Sequence, residues 1–234
     1  MSYLEKYYDA RVSGLNERDF LKHVGHTEGG LPISEQQFEQ MVSQLNELLD
    51  PEPNDRLLDL CCGNGIITQM VSSSVKQAVG VDLSEKMVRL ARKHHGATHI
   101  SYYKQDVLTL HNVADIKHRS FSKILMHGGL QHFNPEDFER LLETMLCFAA
   151  DECTLVLSFV PKKGRQKYFY NTMKKRLAAF YYRTLKRDIF GYWWDEDFVR
   201  SICRRRDLDC SFHPIDASLD ASKYRFNIKI SRRI

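Results

Sequence analysis

Three aspartates and a pair of glycines are the residues of this sequence best placed to do chemistry. Asp59 closes the apolar run that begins Leu57-Leu58, and the turn Gly63-Asn64-Gly65 follows it. Glycine lets the backbone turn sharply and lets a ligand lie against it with no Cβ in the way. Asp82 ends a second apolar run, Gln77 to Val81, and Asp106 follows a third stretch, Thr98 to Tyr103. A carboxylate at a strand tip can accept two hydrogen bonds from the vicinal hydroxyls of a ribose, and a further one can accept from an adenine amino group. Capping and turn formation are the other uses of aspartate at such positions.

These residues need strands to carry them and helices to separate the strands. The run from Arg56 to Leu60, the glycine turn and the apolar positions Ile66, Ile67, Met70 and Val71 read as buried strand, tight loop and helix. Ser84 can cap a helix that turns Met87, Leu90 and Ala91 inward. Ser122 to Met126 reads as a fourth strand, and Asn134-Pro135-Glu136-Asp137 as a helix start with cap, proline and first-turn acids. Cys153 to Val160 is a continuously apolar fifth strand, as a central parallel strand requires. A helix over Phe198, Val199 and Ile202 and two strands, Leu208–Ile215 and Tyr224–Ile230, close the chain. The alternation predicts an α/β sheet with helices on both faces, its ligand at the carboxyl ends of the strands. A dinucleotide fingerprint would need glycine at position 68, where Thr68 stands.

The pattern D-x-x-x-G-x-G over Asp59, Gly63 and Gly65, with Asp82 and Asp106 in register behind it, resembles the class I S-adenosylmethionine-dependent methyltransferases. The resemblance covers residues 55–160 through motifs and 195–234 through element order. It implies a Rossmann-like seven-stranded sheet with the last strand antiparallel, and S-adenosylmethionine as cofactor. It carries cofactor-binding roles onto Asp59, Cys61, Gly63, Asn64, Gly65, Asp82, Leu83, Asp106, Val107 and Met126. Small-molecule members have a histidine in the loop after the fourth strand; His132 matches it and is the candidate base, while His127 has no counterpart, and each is either a proton acceptor or a structural histidine. Tyr3, Tyr7 and Tyr8 share a helix face that is either core packing or an aromatic flap, with Tyr8 the candidate cofactor contact.

Composition bounds the remaining choices. The chain has 234 residues, 43% of them hydrophobic, enough for one compact domain with a sizeable core. No run is long enough to span a bilayer, and the N-terminus has no signal-peptide h-region. The six cysteines form no C-x-x-C pair or ligand array, so neither a disulfide frame nor a metal site is expected and a reducing cytoplasm fits. Residues 1–53 are expected to form an N-terminal helical cap, with a loop over 21–33 and a helix from Ser34 to Leu49. No internal repeat or linker divides the chain.

The net charge is +4, and its distribution says more than its sum. No acid occurs between Lys162 and Arg187, where ten Lys and Arg residues interleave with Tyr and Phe, followed by Tyr192, Trp193 and Trp194. Residues 161–194 are therefore expected to form either a solvated surface or a substrate lid, with Lys174, Arg176, Tyr182 and Trp193 as acceptor-binding candidates. The expected reaction is methyl transfer to an oxygen or nitrogen of a small acidic, phosphorylated or nucleotide-linked metabolite, a sugar type favoured. RNA or protein methylation and a non-catalytic cofactor-binding role are the alternatives; nucleic acid is disfavoured because no N-P-P-[YF]-type tetrapeptide follows the fourth strand. Asp82→Ala is expected to weaken S-adenosylmethionine binding by about 1.5–3 kcal/mol, the range for hydrogen bonds to a charged group. Calorimetry showing no cofactor heat, with NAD bound instead, would refute this reading.

Overall fold

The computed structural model describes residues 2–112, 116, 120–184 and 190–232. An N-terminal layer comprises α1 (Tyr3–Ser13), α2 (Phe20–His23), a two-stranded hairpin β1 (Thr27–Glu28) and β2 (Leu31–Pro32), and α3 (Glu35–Leu49). The main sheet follows: β3 (Arg56–Leu60), α4 (Ile66–Val71), β4 (Gln77–Asp82), α5 (Glu85–His94), β5 (Ile100–Lys104), β6 (Phe121–His127), α6 (Pro135–Phe148) and β7 (Ala149–Pro161). Then come α7 (Gln166–Phe169), α8 (Met173–Thr184), α9 (Glu196–Arg205), β8 (Leu208–Pro214) and β9 (Arg225–Arg232). The expected loop over 21–33 is partly ordered into α2 and the hairpin. Gly29 and Gly30 take φ of 60° and 89° and make the reversal that lets Thr27 face Pro32.

The seven strands lie in the order β5-β4-β3-β6-β7-β9-β8. All neighbours are parallel except at β9, the last strand, which runs antiparallel to both β7 and β8. The winding reverses between β3 and β6, and an open α/β sheet gapes at its carboxyl edge there. Leu57 and Leu58 point to opposite faces, yet both are fully buried, because helices cover both sides. One face packs Leu58, Leu60 and Leu157 against Phe138, Leu141, Trp194 and Ile202. The other packs Leu57, Ala78 and Val156 against Leu45, Leu49, Ile67 and Val88.

β7 carries the irregularity that matters for function. Its pairing with β9 shifts between Leu157 and Val160, and Phe159 there takes φ of 62°. A bulge re-aims a side chain, and Phe159 lines the cavity at the sheet edge. Asn227 on β9 holds the bulge, its Oδ1 accepting from the Phe159 N–H at 3.0 Å.

α3 has a reciprocal cap. Ser34 Oγ accepts from the Gln37 N–H at 3.2 Å, and Gln37 Oε1 accepts from the Ser34 N–H at 2.9 Å. Ser34→Ala is expected to cost about 1 kcal/mol, read as a lower urea midpoint at unchanged slope; an unchanged midpoint would show that packing alone holds this helix.

Candidate active site

Asp59 ends the central strand almost wholly buried, and its Oδ2 accepts from the Thr68 hydroxyl at 2.5 Å. Its Oδ1 is buried with no hydrogen-bond partner. Thr68, the residue that breaks the dinucleotide pattern, is thus what orients the first acid. Burial, then the nearby Asp82 charge, pushes the Asp59 carboxyl up to about 7, against the pull of Thr68. Cys61 starts the loop at φ of 59°, a left-handed conformation costly for a side chain with a Cβ. Gly63 follows at φ of 56°, and a Cβ there would meet Val24 at 2.8 Å.

Asp82 ties the loop to the second strand. Its Oδ2 accepts from the Gly63 N–H at 2.9 Å and its Oδ1 from the Ser84 N–H at 2.8 Å. Burial raises its pKa, and these bonds oppose the rise. Replacing Asp82 therefore loosens the glycine loop as well as removing a ligand acceptor. Asp106 accepts from the Leu108 N–H at 2.9 Å and stands past β5 on the same cavity.

α1 closes this half of the site. Asp9 accepts from the Ser84 hydroxyl at 2.6 Å, Glu5 pairs with Lys104 at 3.0 Å, and the Tyr8 hydroxyl meets His132 Nε2 at 2.8 Å. Burial holds the Tyr8 proton on and pushes His132 down to about 4, so Tyr8 donates and His132 accepts. Asp9 and Glu5 escaped the sequence reading. They look like ordinary helix-surface acids, and only the docking of α1 brings them to the strand tips.

His127, at the end of β6, is held by a chain of side chains. Ser158 donates to Asn227 Oδ1 at 2.7 Å, and Asn227 Nδ2 donates to Gln44 Oε1 at 3.1 Å. The one hydrogen of Ser158 being used, its Oγ accepts from His127 Nδ1–H at 3.2 Å. The network assigns the tautomer and leaves Nε2 with a lone pair that no protein group uses. Burial, then His26 and Arg225, keeps this ring neutral.

One cavity of about 670 Å³ joins these parts. Tyr8, Asp59, Cys61, Gly63, Asp82, Leu83, Asp106 and Val107 line one half; His127, His132, Phe159, Phe169, Phe190, Tyr224 and Arg225 line the other. Asn64, Gly65, Met126, Arg176 and Trp193 are not among the lining residues. Asn64 Nδ2 instead donates to the Phe20 carbonyl, and Arg176 Nε to the Tyr170 carbonyl. Trp193 stacks on Phe190 at 4.6 Å, behind the wall. The side chains of Lys174 and Tyr182 lie outside the described residues, as do Lys186 and Arg187.

Residues 161–194 leave the sheet through a narrow neck. Lys163 N–H donates to the Trp194 carbonyl at 2.8 Å and Trp194 N–H to that of Pro161 at 2.7 Å. Lys162 and Lys163 pair with Glu196 and Asp195, so these two cations serve the neck. Tyr192 N–H donates to the Gln131 carbonyl and Trp194 Nε1 to that of Leu130, which seats the return strand of the segment against the loop carrying His132. Of the basic run, Lys175 lines the cavity, its Nζ 4.7 Å from the Phe169 ring centroid.

Residues 57–150 match a family model described as a methyltransferase domain. Residues 57–150 thus read as a methyltransferase domain, within a sheet of the class I methyltransferase fold. Among solved structures, the domain is similar to magnesium protoporphyrin IX methyltransferase from Synechocystis PCC 6803 with bound SAH, at TM-score 0.69 and 16% identity over 98% of both chains. It is also similar to the DhpI-SAM-HEP complex, at TM-score 0.66 and 14% identity over the whole of both. At such identities these likenesses speak for the fold. Among curated proteins, the 23S rRNA (uracil(1939)-C(5))-methyltransferase RlmD of Photorhabdus laumondii is 32% identical over 109 residues, 45% of this chain and 24% of that protein. The chain thus matches about a quarter of that relative's length.

The residues of this cavity fit S-adenosylmethionine. The cofactor is cationic at its sulfur and amine, and the half of the cavity under α1 presents three carboxylates, one with an oxygen that has no protein partner. The left-handed loop at Gly63 leaves room that a Cβ would take.

The raised Asp59 pKa predicts a linked effect on stability. Its folded value of about 7 exceeds the ordinary 3.8 of an aspartate, so ionising it costs folding free energy as pH rises through that window, and the cost is absent below about 4. Asp59→Asn should therefore raise the melting temperature of the cofactor-free protein at pH 8 and change it little near pH 4, while weakening S-adenosylmethionine binding. No gain at pH 8 in a scanning calorimeter would mean that the buried charge is already compensated.

Proposed function

We propose that the protein transfers a methyl group from S-adenosylmethionine to an oxygen or nitrogen of a small acceptor held in the aromatic half of the cavity, and that it works in the cytoplasm. The observation that carries this is the single cavity with two unlike halves, acids and glycines in one, histidines and aromatic rings in the other. Bound cofactor supplies an electrophilic methyl, so the protein's task is to position the acceptor, exclude water and take a proton where one is lost. Residues 161–194 act as the lid, with Phe169 and Phe190 against the acceptor.

A hydroxyl acceptor needs a base, whereas an amine needs only to arrive neutral. His132 has its Nε2 engaged by Tyr8, which suits it to anchor α1 over the cofactor. His127 is neutral, its tautomer is set, and its Nε2, buried in the cavity wall, carries a lone pair that no described residue uses, so an acceptor reaches it only where that wall yields. We assign the base role to His127 and the anchoring role to His132.

RNA is the second reading, favoured by the rRNA methyltransferases among the relatives. Methyl-labelled cofactor offered with a metabolite extract and, separately, with total RNA decides between them. Label is expected in a small molecule; label confined to RNA would overturn the proposal. With the acceptor in hand, His127→Ala should lower kcat by about 10²–10⁴ at unchanged cofactor affinity. His132→Ala should weaken cofactor binding as well, because it frees Tyr8. Equal kcat in His127→Ala and wild type would remove the base assignment for a hydroxyl acceptor.

A further inference from the structure

The acceptor half of the cavity contains a guanidinium with no carboxylate beside it. Arg225, the first residue of β9, projects among Phe159, Phe190 and Tyr224, its Cζ 5.1, 4.8 and 5.9 Å from their ring centroids. It donates to the Phe159 carbonyl and, at 2.9 Å, to Gln131 Oε1. Part of its side chain is open to the cavity, and the protein around it keeps bulk water away.

The acids on the cavity wall are engaged elsewhere. Glu5 pairs with Lys104, and Glu28 accepts from the Asp220 N–H. Asp59 accepts from Thr68, Asp82 from Gly63 and Ser84, and Asp106 from Leu108. Asp220 pairs with Lys223, and Asp137 with Arg140. Among the described residues no carboxylate forms an ion pair with Arg225. The neighbouring rings add no charge of either sign: His26, His127 and His132 are held neutral, Arg225 itself contributing to each, and burial keeps the Tyr8 and Tyr224 hydroxyls protonated. A deep cation without a counter-charge is costly, and ring faces and carbonyls replace only part of its lost hydration.

Resting on the methyltransferase reading, we propose that Arg225 docks an oxyanion of the acceptor, a carboxylate or phosphoryl group. The acceptor's apolar or flat body then lies against Phe159, Phe169, Phe190 and Tyr224. The planar guanidinium, which also engages the Tyr224 hydroxyl, still has N–H groups to spare, and its fork matches the paired oxygens of such a group. The bulge supports the assignment structurally: the left-handed turn at Phe159 presents both the ring and the carbonyl that hold the guanidinium in place.

The test uses calorimetry on the whole protein loaded with S-adenosylhomocysteine. Benzoate, phenyl phosphate and neutral benzamide are the probes. Loading is itself the first readout: no S-adenosylhomocysteine binding defeats the methyltransferase reading, a result distinct from failure of the anion site. On loaded protein, benzoate or phenyl phosphate should bind at least tenfold more tightly than benzamide, and whichever is tighter names the oxyanion. Arg225→Gln should abolish that preference while still binding S-adenosylhomocysteine. Arg225→Lys, which keeps the charge and loses the fork, should retain part of it, and Lys175→Gln should leave most of it. Benzamide binding as tightly as both anions, no binding of either anion, or an undiminished preference in Arg225→Gln would overturn the proposal. If Arg225→Gln fails to fold, the wild-type comparison with benzamide and the partial loss in Arg225→Lys still decide it.

Discussion

The constraint on which this structure depends is the burial of like charge at one edge of the sheet. Asp59 and Asp82 stand on adjacent parallel strands, the Asp82 charge raising the pKa of Asp59 and that of Asp9 raising Asp82, and Asp106 stands beyond the next strand. Such an arrangement works against folding, because the carboxylates lose water and repel one another. It persists because the N–H groups of Gly63, Ser84 and Leu108 and the hydroxyl of Thr68 take up part of the charge. The remainder, including the orphaned oxygen of Asp59, matches a cationic ligand. Stability given up at the strand tips reappears as affinity.

The N-terminal helix and the glycine loop follow from the same constraint. α1 brings Tyr8, Asp9 and Glu5 over the strand tips, and each fastens to a different part of the sheet edge: the β6 loop, the start of α5 and the end of β5. Polar contacts therefore hold this roof in place, since the core clusters contain no residue of α1.

The two halves of the cavity divide the electrostatic labour. Negative groups gather where β3, β4 and β5 end, and Arg225, which forms no ion pair among the described residues, lies where β9 begins, beside the end of β7. β9 runs antiparallel, so the strand that starts at this edge delivers its first residue to the place where the parallel strands deliver their last. The antiparallel finish of the sheet is what lets Arg225 face the cofactor side at all.

Much of this was legible in the residue order. Buried parallel strands demand continuous apolar runs, helices demand a 3.6-residue period and caps, and aspartates at strand ends fall at the ligand edge by topology; hence the sheet and the three acids, while the antiparallel last strand was implied by the family resemblance. The acceptor half was not legible in the same way. The basic run of 162–187 is the loudest charge signal in the chain, yet two of its lysines pair at the neck, Arg176 binds a carbonyl, and the cation deepest in the cavity is Arg225. Nothing in Tyr224-Arg225-Phe226 announces this, because the face a strand's first residue presents depends on the register with β7 and on the bulge at Phe159. The tautomer of His127 likewise depends on Ser158, Asn227 and Gln44, which are remote from it in sequence. Local patterning determines which element each residue joins; which residues then meet across a cavity is decided by strand register and helix docking, and those belong to the tertiary structure.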